Sequence, residues 1–222
     1  MKKLISVLLS VLLCVGLCAC SKEESRAPDP VIPEVGDSFT FGTFGGTEKI
    51  EWIVLAEDNG KVLLLSRYAL TASVYHESWD DVTWESSSLR ASLNGEFLDS
   101  AFTDKEQNKI LTTTVTADPN PVHDTDPGNA TEDKIFLLSP DEVSTYLPKE
   151  SDRICTPTDF AADSGVWKNP ASGACIWWLR TPGIYSDNAV CIGSDGTVNA
   201  DGDDVITSDN GVRPAMWVDL NP

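Results

Sequence analysis

The chain has 222 residues and carries 35 Asp and Glu against 16 Lys and Arg, a formal charge of −19 at pH 7. That balance argues against nucleic acid and anionic lipid headgroups as partners, because phosphate binding needs basic patches that the chain lacks. The length, with seven Trp and seven Phe, suits one domain with a substantial core.

The first segment reads as an address. Lys2 and Lys3 precede an apolar stretch from Leu4 to Leu17 that is too short for a comfortable membrane span. It ends in Leu17-Cys18-Ala19-Cys20, which resembles the lipobox of bacterial lipoprotein precursors, where the cysteine after a small residue is lipidated and becomes N-terminal. The alternative is an ordinary secretory signal cleaved near Ala19. Residues 20–34 are polar and punctuated by Pro28, Pro30 and Pro33, the composition of a tether with nothing to bury. The expectation is a signal peptide over 1–19, a lipid on Cys20, a flexible tether over 20–34 and one globular domain over 35–222. Such a protein is extracytoplasmic and held to the cell membrane by its lipid. Removing 1–19 takes away two lysines and no acids, so the mature formal charge is 14 − 35 = −21.

Within the domain, Phe39 and Phe41 and then Ile50, Trp52 and Val54 alternate as half-buried strands do. Asp58-Asn59-Gly60 supplies a hairpin turn, and Val62–Leu65 returns as a strand covered on both faces. Ser86 to Ser88 precede Leu89, Leu93, Phe97 and Leu98 at helical spacing, with Gly95 as a weak point. Thr103-Asp104-Lys105-Glu106 spells a capping box, predicting a short helix that runs toward Ile110. A strand over 112–116, a loop over 118–133 and a short buried strand over 135–138 follow. Ser139-Pro140-Asp141-Glu142 opens another helix, and Thr156-Pro157-Thr158-Asp159 repeats that grammar.

The last third, Cys175 to Val218, is a strand meander. The apolar run Ile176-Trp177-Trp178-Leu179 ends on Arg180 and is halted by Thr181-Pro182-Gly183. Ala189–Ile192 and Thr197–Ala200 flank the turn Ser194-Asp195-Gly196, and Gly211-Val212-Arg213-Pro214 leads into a final apolar run. The whole is an α+β domain with a mixed, mostly antiparallel sheet, short helices and a C-terminal meander.

Five motifs in order, TWESSSLRASLNGEFLDSAFTDKEQNKI, KIFLLSPDEV, CTPTDFA, WWLRTPG and GVRPAMWV, resemble a domain-of-unknown-function family found in surface and secreted proteins of Gram-positive gut bacteria. More distantly, the Trp-Leu-Arg strand, glycine-rich meander and closing Gly-Val-Arg strand are similar to C-type lectin-like domains, including those of formylglycine-generating enzymes. That likeness implies a binding module and places Phe39–Phe41 beside Ala215–Val218. Function does not travel with fold alone.

Chemistry is narrowed by subtraction. His76 and His123 stand at no ligand spacing, and no nucleophile elbow, phosphate loop or dinucleotide fingerprint is present. The acidic run Asp195, Asn199, Asp201, Asp203, Asp204 and Asp209 approaches an EF-hand opening but has Thr where the first acid belongs and lacks the closing Glu, and hairpin turns explain the same residues. No cofactor or metal is expected. The formylglycine-generating likeness would require a reactive copper-binding cysteine pair, and no cysteine falls in the GVRP segment, so the chain reads as non-catalytic.

The candidate binding residues are Tyr185, Asp187, Asn188 and Asn210, the expected ligand being a surface glycan, peptide or protein. Trp178, Arg180 and Arg213 read as structural, since a guanidinium in apolar surroundings needs its donors satisfied. The alternatives are a structural or interaction domain with no small ligand, and an enzyme derived from the formylglycine-generating group. Three mature cysteines besides Cys20 leave an odd count. Cys155 and Cys175 flank a glycine- and proline-bearing segment that needs pinning, and their pairing closes a loop of about 20 residues, worth roughly 3 kcal/mol in the chain-entropy account. Cys191 then stays buried as a small apolar residue, one residue out of register with Cys175 in a hairpin symmetric about Gly183 and Ile184.

Overall fold

The structure is a computed structural model that describes residues 32–221. The expected signal segment, Cys20 and the tether up to residue 31 lie outside the described residues. Strand β1 (Ser38–Phe44) pairs antiparallel with β2 (Glu48–Asp58), which turns through Asn59-Gly60 into β3 (Lys61–Ser66). Asn59 and Gly60 have φ of 51° and 82°, the paired positive values of a two-residue hairpin turn that Asn-Gly reaches at least cost. Leu55 is the extra residue of a bulge against β3, which is why both Val54 and Leu55 are buried. Every residue of β3 after Lys61 is buried.

After β4 (Thr71–Ala72) comes a single turn at Trp84–Ser86 and then α1 (Ser88–Ser92), capped by the Ser87 hydroxyl, which accepts from the Arg90 amide at 3.1 Å. The helix runs on through a π turn at Leu93–Phe97 into α2 (Leu98–Ala101). Gly95 falls inside that wider turn, whose added residue brings adjacent Phe97 and Leu98 both into the core. The Thr103–Glu106 capping box opens α3 (Asp104–Gln107), which stops short of Ile110 because that residue bridges Val218 instead.

The pair β5 (Thr113–Val115) and β6 (Thr131–Asp133) bounds the acidic loop, so the last three residues of the expected loop are strand. Residues 135–138 are buried but form only a single bridge, from Phe136 to Ala215. Their backbone also serves elsewhere, as when the Leu138 carbonyl accepts from the Arg180 amide at 3.0 Å. Helix α4 (Pro140–Tyr146) starts with the Ser139–Glu142 box and Pro at its first turn, and α5 (Glu150–Arg153) follows. In α6 (Asp159–Asp163) the cap is Thr158 rather than Thr156. The Thr156 carbonyl is taken by the Ala69 amide at 3.2 Å, where Ala69 and Pro157 bridge in parallel.

The meander comprises β7 (Trp177–Pro182), β8 (Asn188–Ile192) and β9 (Val198–Asp204), and β10 (Gly211–Val212) and β11 (Ala215–Asp219) close the chain. One sheet has the order β1-β2-β3-β11, a second β4-β10-β7-β8-β9, and β5-β6 stands apart. Pairing is antiparallel throughout except between β10 and β7. The fold is thus one α+β domain, mostly sheet with a few short helices.

The expected contact of Phe39–Phe41 with Ala215–Val218 does not occur. β11 pairs with β3, Ala215 opposite Leu65 and Val218 opposite Val62, while β1 lies at the far edge against β2. Short turns lay β1, β2 and β3 down in order, and the strand buried on both faces is β3, which therefore takes the second partner. Arg213-Pro214 is the step by which the chain leaves one sheet for the other, with Leu70 N–H donating to the Val212 carbonyl and Ser66 N–H to that of Pro214, both at 2.9 Å.

Candidate aromatic binding surface

The tip of the β7–β8 hairpin, Gly183 to Asp187, is where four segments meet. The Ile184 amide donates to the Asp201 carbonyl at 2.9 Å, the Val82 amide to Ser186 at 2.9 Å and the Val205 amide to Asp187 at 2.9 Å. The Thr125 hydroxyl donates to the Gly183 carbonyl at 2.7 Å. Each segment delivers an exposed apolar side chain to this end of the molecule: Trp79 (61% exposed), Val122 (69%), Ile184, Tyr185 (66%) and Ile206. Five of the nine large apolar side chains exposed among the described residues lie in these segments, so exposed apolar groups concentrate around the hairpin tip.

Polar groups fix the patch. Trp79 Nε1 donates to Asp187 Oδ2 at 2.7 Å, and His123 Nε2 meets Asp201 Oδ1 at 2.6 Å. Buried Asn120 organises the acidic loop beneath. Its amide donates to the Pro182 and Ala200 carbonyls, each at 2.8 Å, and its oxygen accepts from the Val122 and His123 amides at 2.9 and 3.1 Å. Asp80, Asp81, Asp124 and Asp201 stand exposed in the same segments.

Of the candidate binding residues, Tyr185 and Asp187 belong to this surface. Asn188 and Asn210 lie beneath it, buried, and donate to Asp204 Oδ1 at 3.0 Å and Asp203 Oδ2 at 2.8 Å. A strand-end amide beside a carboxylate of the neighbouring strand satisfies both groups without solvent. Trp79, Val122, His123 and Asn120 were not reached by sequence reasoning. The signal for Trp79 was present, a tryptophan in the acidic run His76 to Asp81 with only polar residues at the one- and two-residue spacings on either side.

The remaining acids are dispersed. Asp195 accepts from the Thr197 hydroxyl and amide, at 2.7 and 3.0 Å, and these bonds hold its carboxyl below the usual range. Asp203 and Asp204 are taken by Asn210 and Asn188. Among the described residues no three His, Cys, Asp or Glu side chains converge as a metal ion requires.

Trp178 and Arg180 lie on the face of β7 that packs on Tyr75. The Trp178 indole donates to the Ser73 carbonyl at 2.8 Å, and the buried Tyr75 hydroxyl donates to the Arg180 carbonyl at 2.7 Å. Arg180 is almost fully enclosed, and its guanidinium is matched on every side by Glu142, Asp118 at 2.8 Å, the Leu137 carbonyl at 2.9 Å and the Thr116 carbonyl at 3.1 Å.

Arg213, also buried, has no such set. Its Nε donates to the Ser66 carbonyl at 2.7 Å and its carbon stands 5.0 Å from the Trp177 ring centre. The three cysteines of the domain are free thiols, Cys155 facing Cys175 across an antiparallel bridge. Cys191 stands opposite Trp178, three residues away from alignment with Cys175 rather than one, because the hairpin is centred on Tyr185 and Ser186 rather than Gly183 and Ile184, a shift that the bulge in β7 after Trp178 only partly offsets.

Fold and surface together define an acidic α+β domain whose strand meander holds an aromatic patch toward solvent. The chain belongs to the family described as Domain of unknown function (DUF6273), matched over residues 59–220. That span runs from the β2–β3 turn to the residue after β11 and includes the whole patch. No curated protein and no solved structure matches the chain.

Proposed function

We propose that this protein is a lipid-anchored, extracytoplasmic and non-catalytic binding module, and that Trp79 and Tyr185 form its ligand surface. The observation that carries the reading is the tie between Trp79 and the Tyr185 turn through the 2.7 Å indole–Asp187 bond, which holds an exposed aromatic at a fixed orientation where none is needed for the core. Rigid aromatic faces flanked by carboxylate acceptors suit sugar rings, whose C–H faces stack on aromatics while hydroxyls donate to acids. The acids around the patch and the mature charge disfavour an anionic polysaccharide, so the ligand is a neutral or amino-bearing surface glycan. The C-type lectin-like resemblance contributes only its binding role, since the terminal-strand pairing it implied is replaced by β3–β11.

The test is a glycan array probed with the wild-type chain and with Trp79→Ala/Tyr185→Ala. The expected result is binding to neutral or amino sugars that falls at least about tenfold in the variant, the loss of one or two stacking contacts. Binding that survives the double substitution, or a ligand set confined to proteins, contradicts the reading.

A further inference from the structure

Arg213 poses a problem that the binding surface does not touch. It is 1% exposed, its Nη1 has no hydrogen-bond partner among the described residues, and its Nη2 reaches only the Arg67 carbonyl at 3.5 Å. Burial lowers its pKa, which is the cost of an uncompensated cation, and the ionisable groups whose charge acts on it are Cys155, Cys175 and Arg67, with no carboxylate. Arg213 Nη2 and the Cys155 thiol approach the same Arg67 carbonyl, at 3.5 and 3.8 Å, so a Cys155 thiolate would stand within reach of the orphaned guanidinium.

Cys155 and Cys175 are placed to react with each other. They face one another in an antiparallel bridge, the Cys175 amide donating to the Cys155 carbonyl at 2.8 Å and its thiol pointing to the same oxygen at 3.4 Å. Directly opposed, hydrogen-bonded residues have Cα atoms about 5.5 Å apart, within the window a disulfide spans. Cys155 is buried at 2% exposure between exposed Ile154 and Thr156, so it meets a small disulfide through local opening of that segment. Cys175 is fully enclosed.

We propose that Cys155 and Cys175 are a reversible thiol–disulfide pair, Cys155 being the attacking sulfur and Arg213 the group that stabilises its thiolate. The Cys155 thiolate attacks one sulfur of a low-molecular-weight disulfide, forming a mixed disulfide and expelling the first small thiolate. Cys175 then gives up its proton and attacks the Cys155 sulfur, expelling the second. Two protein thiols become one cystine, the small disulfide is reduced to two thiols, and the protons released end on those leaving groups. The Cys175 hydrogen bond and then the Arg213 charge depress the Cys155 thiol pKa, while the same pairing and burial raise that of Cys175, matching the two roles. Oxidation removes the anion beside Arg213 and leaves the cation alone, so the reduced state is favoured relative to an ordinary staple.

The experiment equilibrates the full chain, in detergent, with glutathione buffers of varied ratio, and maps thiols by mass spectrometry without prior reduction. The expected result is a Cys155–Cys175 link in oxidised buffer that is lost in excess reduced glutathione. A link that resists reduced glutathione, or no link in oxidised buffer, overturns the proposal. Cys175→Ser is expected to trap glutathione on Cys155 and Cys155→Ser to trap none on Cys175, and the reverse pattern overturns the roles. Arg213→Gln shifts the equilibrium about tenfold toward the disulfide. An unchanged equilibrium in a folded variant removes Arg213 from the account, and should that variant not fold, the wild-type titration and the cysteine variants decide.

Discussion

Two buried arginines show how partners, not burial, set the worth of a charge. Arg180 leaves Glu142, Asp118 and two carbonyls without a donor if removed, so Arg180→Met is expected to cost about 3–5 kcal/mol. Arg213 leaves one short hydrogen bond and a ring contact and no carboxylate unpaired, so Arg213→Met is expected to cost only about 1–2 kcal/mol. Urea unfolding of both variants checks the difference, and equal losses would show that the thiols beside Arg213 or its packing carry more than these contacts. The sequence marked both arginines as structural from their apolar neighbours. It did not separate them, because the acids that meet Arg180 lie 38 and 62 residues away in sequence.

At the scale of elements, what is local was legible and what is contingent on packing was not. The Thr103 and Ser139 capping boxes, the Asn59-Gly60 turn and the β8–β9 hairpin follow from short-range chemistry and form as expected. The pairing of β11 with β3, the cap at Thr158 and the displacement of Cys191 depend on which buried groups compete for a partner, which no short window contains. The candidate site divides in the same way. Tyr185 and Asp187 sit on a turn that the residues announce, whereas Trp79 reaches it from about a hundred residues earlier through one bond.

Gly202 links element to site, for its φ of 77° lies beside the bulge where β9 crosses Ala189, and an added Cβ would run into the Ala189 carbonyl. Gly202→Ala is expected to cost about 2 kcal/mol and to disturb the neighbouring Asp201 carbonyl that holds Ile184. Thermal melts together with the binding assay check this. Unchanged melting would mean that the bulge adjusts freely.

For the whole molecule, the charge and the proposed anchor work together. An acidic domain held to the membrane by a lipid stays off anionic headgroups and presents its surface outward. Cys20→Ser is expected to move the protein from the membrane fraction to the medium or to leave the precursor unprocessed. Fractionation and intact mass check it, and a mature wild-type chain without lipid would contradict the anchor. Among the described residues no helix is long and apolar enough to cross a membrane, so the domain itself supplies no helical span.

The central claim, that the patch exists for binding rather than for stability, is tested most directly by measuring melting temperature and glycan affinity on the same preparation of Trp79→Ala/Tyr185→Ala. The account predicts melting within about 2 °C of wild type, because both rings are exposed, alongside at least about a tenfold loss of affinity. A large drop in melting temperature with affinity retained would show the two rings to be structural and contradict the account.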